Sequence, residues 1–263
     1  MQFPDTTGYP PELSVITVVK NDTRGFSKTL KSLEAQSLPG FNWVVIDGST
    51  DKTSVPDLLR QSTLNVDYFW VEPDGIFPAM NQGAKCSTGR YLYFLNAGDT
   101  LFDSSTLNHV ATSLSEGSPA WAFGTVNFWD QSGHQLKEPL WDYSRERRHR
   151  FARGRFPAHQ SVFVRRDIFK ELGGLDTTFD IAADYHMISR LSEGQDPLIL
   201  DFVIANFTQG GVSTVSWRRA QIEFRQVRRD VFSLSFTGRL EELFFGIKAY
   251  AAHLVVNQRT KHE

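Results

Sequence analysis

Two periodicities take turns along the first hundred residues, and this alternation limits the fold more than any other feature. Leu13–Val19 is a continuous apolar run rich in β-branched residues, the pattern of a strand covered on both faces. Arg24–Gln36 then sets Phe26, Leu30 and Leu33 among polar residues, which predicts a helix. Trp43–Ile46 predicts a second strand, and Asp51–Gln61 a second helix with Val55, Leu58 and Leu59 on one face. Val66–Val71, Phe77–Ser87 and Arg90–Leu95 continue the series as strand, helix and strand. Such β-α-β-α order implies an α/β fold: a Rossmann-like, mostly parallel sheet with helices on both faces.

After Asp99 the pattern changes. Asp103 and Thr106 suit the start of a helix running through Leu114. "WAFGTVNFWDQSGHQLKE" reads as two strands around a "DQSG" turn, so a smaller antiparallel portion is expected there. "HQSVFVRR" predicts a further strand, "DYHMISRLSEG" a helix ending near Gly194, and "PLILDFVIANF" a strand. Ser216–Phe232 and Arg239–Val256 carry helical patterns. The expected division is one catalytic domain over 1–215, with a first half at about 12–100 and a second at about 101–215, followed by a helical C-terminal tail over 216–263.

Composition narrows the function classes. A formal net charge of −2 gives no bulk attraction to nucleic acid, so no nucleic-acid partner is expected. The single cysteine, Cys86, permits no internal disulfide and fits a reducing compartment. The first residues, "MQFPDTTGYPPELS", lack the basic and apolar regions of a signal peptide, and no run of ~18 apolar residues occurs, so a cytoplasmic location is expected. Residues 145–155, "RERRHRFARGR", hold six arginines. They read either as a solvated basic loop or as a surface for phosphate groups or anionic lipid.

In an open α/β sheet, ligands bind outside the carboxyl ends of the strands. Here those ends are "TVVKND", Asp47 and "LNAGD", and Asp74-Gly75 in "EPDG" suits a turn before the fourth strand. Each aspartate alone is an ordinary turn residue, but their shared location is a stronger signal. A carboxylate such as Asp47 can accept hydrogen bonds from a base or ribose. Asp99, in a tight polar turn, can hold a hard divalent ion that neutralises a diphosphate. Asn81 lies on the third predicted helix, facing either solvent or the same edge. Asp184 shares a helix face with Met187, Ile188 and Leu191. It is either a helix N-cap or a carboxylate facing a cleft, available as a general base.

"LSVITVVKND", "WVVIDGSTDKT", "EPDGIFPAMNQGAKCSTGRYLYFLNAGD" and "GGLDTTFDIAADYHMISRL" together resemble a family 2 glycosyltransferase of the GT-A fold. With "AHQSVFVRR" and "GGVST" included, the chain looks most like the bacterial branch making colanic acid and related exopolysaccharides. The resemblance covers roughly residues 12–220. It implies transfer of a sugar from a nucleotide-sugar donor, with UDP the commoner nucleotide, and inversion at the anomeric carbon. It implies a saccharide or polyprenyl-linked acceptor, and a place at the inner face of the cytoplasmic membrane. Thr17 and Asp47 match nucleotide-contacting positions, and the donor set expected at the strand ends is completed by Val19, Asp74, Asn81 and Asn96. Asp99 matches the carboxylate that holds Mn2+ or Mg2+, Asp184 the catalytic base, and His159 with Gln160 a pair near the site. Two departures stand out: Ile46 replaces the first of two aspartates before the Gly-Ser, and Ala97 replaces the first aspartate of the metal motif. A metal at Asp99 must therefore take most of its ligands from diphosphate and water.

Two other classes compete. A nucleotidyltransferase calls for a glycine-rich basic loop near the N-terminus, which "TVVKNDTRG" does not supply. A non-catalytic nucleotide-sugar binder or assembly component is opposed by Asp99 and Asp184 both being in place. In the tail, Leu240, Leu243, Phe244, Ile247, Ala251 and Leu254 form a stripe, with Lys248, Arg259 and Lys261 nearby. Such a stripe lies in a membrane interface, or packs on the catalytic domain or on a second copy of the chain.

Overall fold

The computed structural model describes residues 11–129, 135–136, 151–152, 154–208 and 217–232. Strands β1 (Leu13–Val19), β2 (Asn42–Asp47), β3 (Val66–Trp70) and β4 (Tyr91–Phe94) alternate with helices α1 (Thr23–Glu34), α2 (Ser54–Arg60) and α3 (Ile76–Cys86). All four strands are parallel, in the order β3-β2-β1-β4. The periodicity of the first hundred residues thus gives the elements it predicts. Helix α2 starts later than expected because the Asp51 carboxylate accepts hydrogen bonds from Thr53 N and Oγ1 and from Ser54 Oγ, making a turn ahead of the helix. Helix α1 has a side-chain cap: Asp22 Oδ1 accepts from Gly25 N at 2.8 Å.

Past β4 the same sheet continues with β5 (Thr100–Leu101), β6 (Trp121–Trp129), β7 (Gln135–Leu136), β8 (Val162–Arg165) and β9 (Leu198–Thr208). Strand β8 lies antiparallel between β4 and β6, β9 runs parallel to β6, and β5 closes that edge antiparallel to β9. Strand β7 pairs antiparallel with β6, as the hairpin reading predicts; its turn residues lie outside the described residues. Helices α4 (Thr106–Gly117), α5 (Arg166–Glu171), α6 (Ala183–Gly194) and α7 (Trp217–Phe232) complete the described elements. The expected strand at "HQSVFVRR" begins only at Val162. His159–Ser161 form a 3-10 turn closed by Ser161 N and Oγ, both donating to Ala158 O.

Alternating side chains divide the core in two. Ile16, Val44, Ile46 and Phe94 face α3, α5 and α6, while Val15, Trp43, Val45 and Tyr93 face α1, α2 and α4. Both faces of β1 are covered, which is why every residue of it is buried. None of the described helices is long and apolar enough to cross a membrane. The tail from Arg239 and arginines 145, 147, 148, 150 and 153 lie outside the described residues.

Candidate active site

Strand β1 has β2 on one side and β4 on the other, so the sheet's connections diverge at its carboxyl end. A cavity of about 520 Å³ opens there, a size suited to a small organic ligand. Val18, Val19, Gly48, Val71 and Pro73 give it apolar walls, and Lys20, Asp22, Asp74 and Asn96 give it polar ones. The loops after β1 and β2 are tied together beside it. Asn21, at φ +56°, donates its backbone N–H to Ser49 Oγ and accepts from Thr50 N and Oγ1. Gly48 lies against Pro73 across this wall, where a Cβ would be 3.4 Å from the proline ring, in ordinary contact.

Asp99 follows β4 after Gly98, whose φ of +98° turns the chain. Its carboxylate is almost fully buried and accepts from Gln160 Nε2 at 3.3 Å. Burial pushes its pKa up to about 6, against the opposing pull of His159 and the hydrogen bonds from Gln160 and the backbone. The 3-10 turn sets Gln160 and His159 side by side off the start of β8. The His159 ring meets Asp184 Oδ2 at 3.3 Å through Nδ1 and Asn96 Nδ2 at 3.2 Å through Nε2. Burial opposes charge on His159, but the hydrogen bond with Asp184 and the charges of Asp184 and Asp99 outweigh it and raise its pKa. One connected line therefore runs from the cavity wall at Asn96 through His159 to Asp184, with Asp99 close enough to act on His159 electrostatically.

Asp184 is not the N-cap of α6. That position is Ala182, and Asp184 sits in the first turn, where its Oδ1 accepts from Tyr185 N. Its side chain keeps 18% of its surface exposed, unlike Met187, Ile188 and Leu191 on the same face.

Val19, Asp74 and Asn96 line the cavity, whereas Thr17, Asp47 and Asn81 do not. Thr17 has no exposed surface, and its hydroxyl accepts from the Trp43 indole at 3.0 Å. Asp47 is likewise fully buried. Its Oδ1 accepts from Ser49 N and its Oδ2 from Tyr68 OH, whose pKa burial and the Asp47 charge push up. Asp47 thus holds the turn at Ser49, next to Gly48, which lines the cavity. Asn81 uses both ends of its amide on Leu175, accepting from its N–H at 2.9 Å and donating to its carbonyl at 2.8 Å. Gly174, at φ +78°, makes room, since a Cβ there would lie 2.7 Å from Asn81 Oδ1. The sequence reading did not single out Lys20 or Asp22. Their signal was their place in "VVKND", immediately past a strand end.

Among the described residues, no group of three or more His, Cys, Asp or Glu side chains could hold a metal ion. The oxygens at hand are those of Asp99 and of Asn96, whose Oδ1 is buried without a hydrogen-bond partner. An oxygen-seeking ion that keeps its water and phosphate ligands fits such a sparse set.

Residues 14–173 match the model of glycosyl transferase family 2. The uncharacterized glycosyltransferase Rv1514c of Mycobacterium tuberculosis strain H37Rv is 30% identical over 225 residues, 83% of this chain and 82% of that protein. Staphylococcus aureus TarS 1–349 in complex with UDP superposes with a TM-score of 0.63 at 17% identity, covering 82% of this chain and 65% of that one. The mannosyltransferase PcManGT from Pyrobaculum calidifontis, in complex with GDP-Man and Mn2+, superposes with a TM-score of 0.61 at 20% identity over 94% of this chain and 76% of that one.

Proposed function

The chain belongs to glycosyl transferase family 2, and on that premise we propose that it moves a sugar from a UDP-linked donor to a hydroxyl of a saccharide or lipid-linked saccharide, inverting the anomeric carbon. The observation that carries this reading is the line Asn96–His159–Asp184. It joins a cavity of nucleotide-sugar size to a carboxylate beyond it. The apolar slot between Val19, Gly48 and Val71 takes the base, and Lys20 meets the diphosphate. Asp74 and Asn96 face the sugar end.

Asp184 takes the proton of the acceptor hydroxyl as that oxygen bonds to the anomeric carbon. The bond from carbon to the diphosphate oxygen breaks on the opposite face, and its electron pair leaves with the nucleotide. His159, bonded to Asp184, keeps that carboxylate aimed at the incoming hydroxyl. Asp99 and the Asn96 carbonyl oxygen would hold Mn2+ or Mg2+, which supplies positive charge against the departing diphosphate. Bacterial surface polysaccharide synthesis is the setting that the sequence resemblance supports.

The test is nucleotide release by purified protein from a panel of UDP- and GDP-sugars with Mn2+ or Mg2+. Release that is lost in Asp99→Ala supports an enzyme. Donor binding without release, even with added saccharide acceptors, would favour a non-catalytic binder.

A further inference from the structure

Helix α6 carries Asp184, yet its N-cap residue, Ala182, has no side chain that could receive a hydrogen bond. The entry to the helix is held from outside, by Glu223 of α7. Glu223 Oε2 accepts from Ile181 N at 2.8 Å and from Ala182 N at 3.0 Å, and its Oε1 accepts from Asp180 N at 3.3 Å. Three consecutive backbone N–H groups converge on one carboxylate that is itself buried, 8% exposed. Arg219, one turn earlier on α7, approaches Glu223 Oε1 at 3.4 Å and also pairs with Asp180, at an exposed edge of this contact. Phe224, the next residue along, packs edge-on against Tyr185, the residue after Asp184. Negative charge at the start of a helix also complements its dipole.

We propose that Glu223 is a positioning residue for Asp184. By fixing the backbone at 180–182 it sets the direction in which α6 begins, and so where the carboxylate two residues further on meets His159 and the acceptor. The inference rests on the reading of Asp184 as the base. A displacement of ~1 Å at such a group costs about 10²-fold in rate, so the effect belongs in turnover and not in donor affinity.

Glu223→Ala removes all three acceptor bonds, and Glu223→Asp draws the carboxylate back by one methylene. Glu223→Gln keeps one oxygen able to serve Ile181 and Ala182. Two readouts decide: hydrolysis of the best donor from the UDP- and GDP-sugar panel, with water in place of the acceptor hydroxyl, and the ring 15N signals of His159, which report its bond to Asp184. Expected are a loss of kcat of about tenfold or more in the Ala and Asp variants, a donor KM within about twofold of the parent, His159 signals moved toward those of a free imidazole, and recovery of most of kcat by Gln. Unchanged kcat and His159 signals in Ala or Asp would overturn the proposal, as would equal losses in Gln and Ala. If Glu223→Ala does not fold, the Asp and Gln variants decide alone. Asp184→Asn is measured beside them. If it turns over normally, the base assignment has failed; if it is inactive while the Glu223 variants match the parent, only the positioning role has failed.

Discussion

At Asp99 the folded-state pKa, about 6, lies above the ordinary carboxylate value of 3.8 because the group is buried. Between those values the folded chain holds a proton that the unfolded chain releases. The stability contributed by the neutral acid is therefore fully present below pH 3.8 and is lost as pH rises through 6. Asp99→Asn stays neutral throughout. In the presence of a chelator it should be more stable than the parent above pH ~6.5, by on the order of 2 kcal/mol, with the gap closing below pH ~4. Thermal melts at both pH values check this, and nucleotide release should be almost abolished. A mutant less stable at neutral pH would show that the bond from Gln160 outweighs burial. Asp184→Asn should keep the fold and donor binding, since Glu223 and not Asp184 holds the start of α6, while turnover falls by ~10²–10⁴. Strand-end position pointed to Asp99 and a shared helix face to Asp184, while His159 with Gln160 came from the family pattern. The hydrogen bonds of Thr17, Asp47 and Asn81 were not legible, because their partners Trp43, Tyr68 and Leu175 are distant in the chain and become neighbours only on folding.

Helix α3 shows how an element reaches the site. It lies close on the sheet because Gly83 has no side chain: a Cβ there would come within 2.4 Å of Ile16 Cγ2 and 3.4 Å of Ile46. The first turns of the helix supply Ile76, Pro78 and Ala79 to the cavity. Gly83→Ala should lift α3 from β1, costing about 1–3 kcal/mol, and should weaken donor binding as well. Melting curves and a donor titration test the pair of effects; loss of stability with unchanged affinity would place the strain elsewhere. The helix itself was legible from its place in the strand–helix alternation, and so were β1 to β4. Short elements were not. Strand β5 has two residues and exists only through its pairing with β9, and the turn at His159–Ser161 looked like strand because Val162 and Phe163 follow it. Glu223 did leave a signal, an acidic residue between Ala220 and Val227 at the spacing of one buried helix face.

Across the whole molecule, the two halves expected from the sequence share one sheet. Strand β4 of the first half pairs with β8 of the second, and β5, at the boundary, pairs with β9. The core beneath the site mixes Ile16 and Phe94 with Val164, Phe169 and Ile188. A fragment of residues 11–100 should therefore lack cooperative unfolding and expose apolar surface, seen as dye binding and poor NMR dispersion; a sharp melt would argue for an independent unit. The shared sheet also bears on how such a chain can diversify. A recombination point near residue 100 would separate strands that must hydrogen-bond, so exchanging whole halves between distant relatives should yield mostly insoluble products. The loop at 72–75 between β3 and α3 crosses no such seam and borders the cavity directly. New donor preferences are therefore expected to arise in lineages through loop exchange and point substitution. A library of grafts at 72–75, compared with half-for-half chimeras by soluble yield, would reveal that asymmetry as a record of which routes evolution has had open.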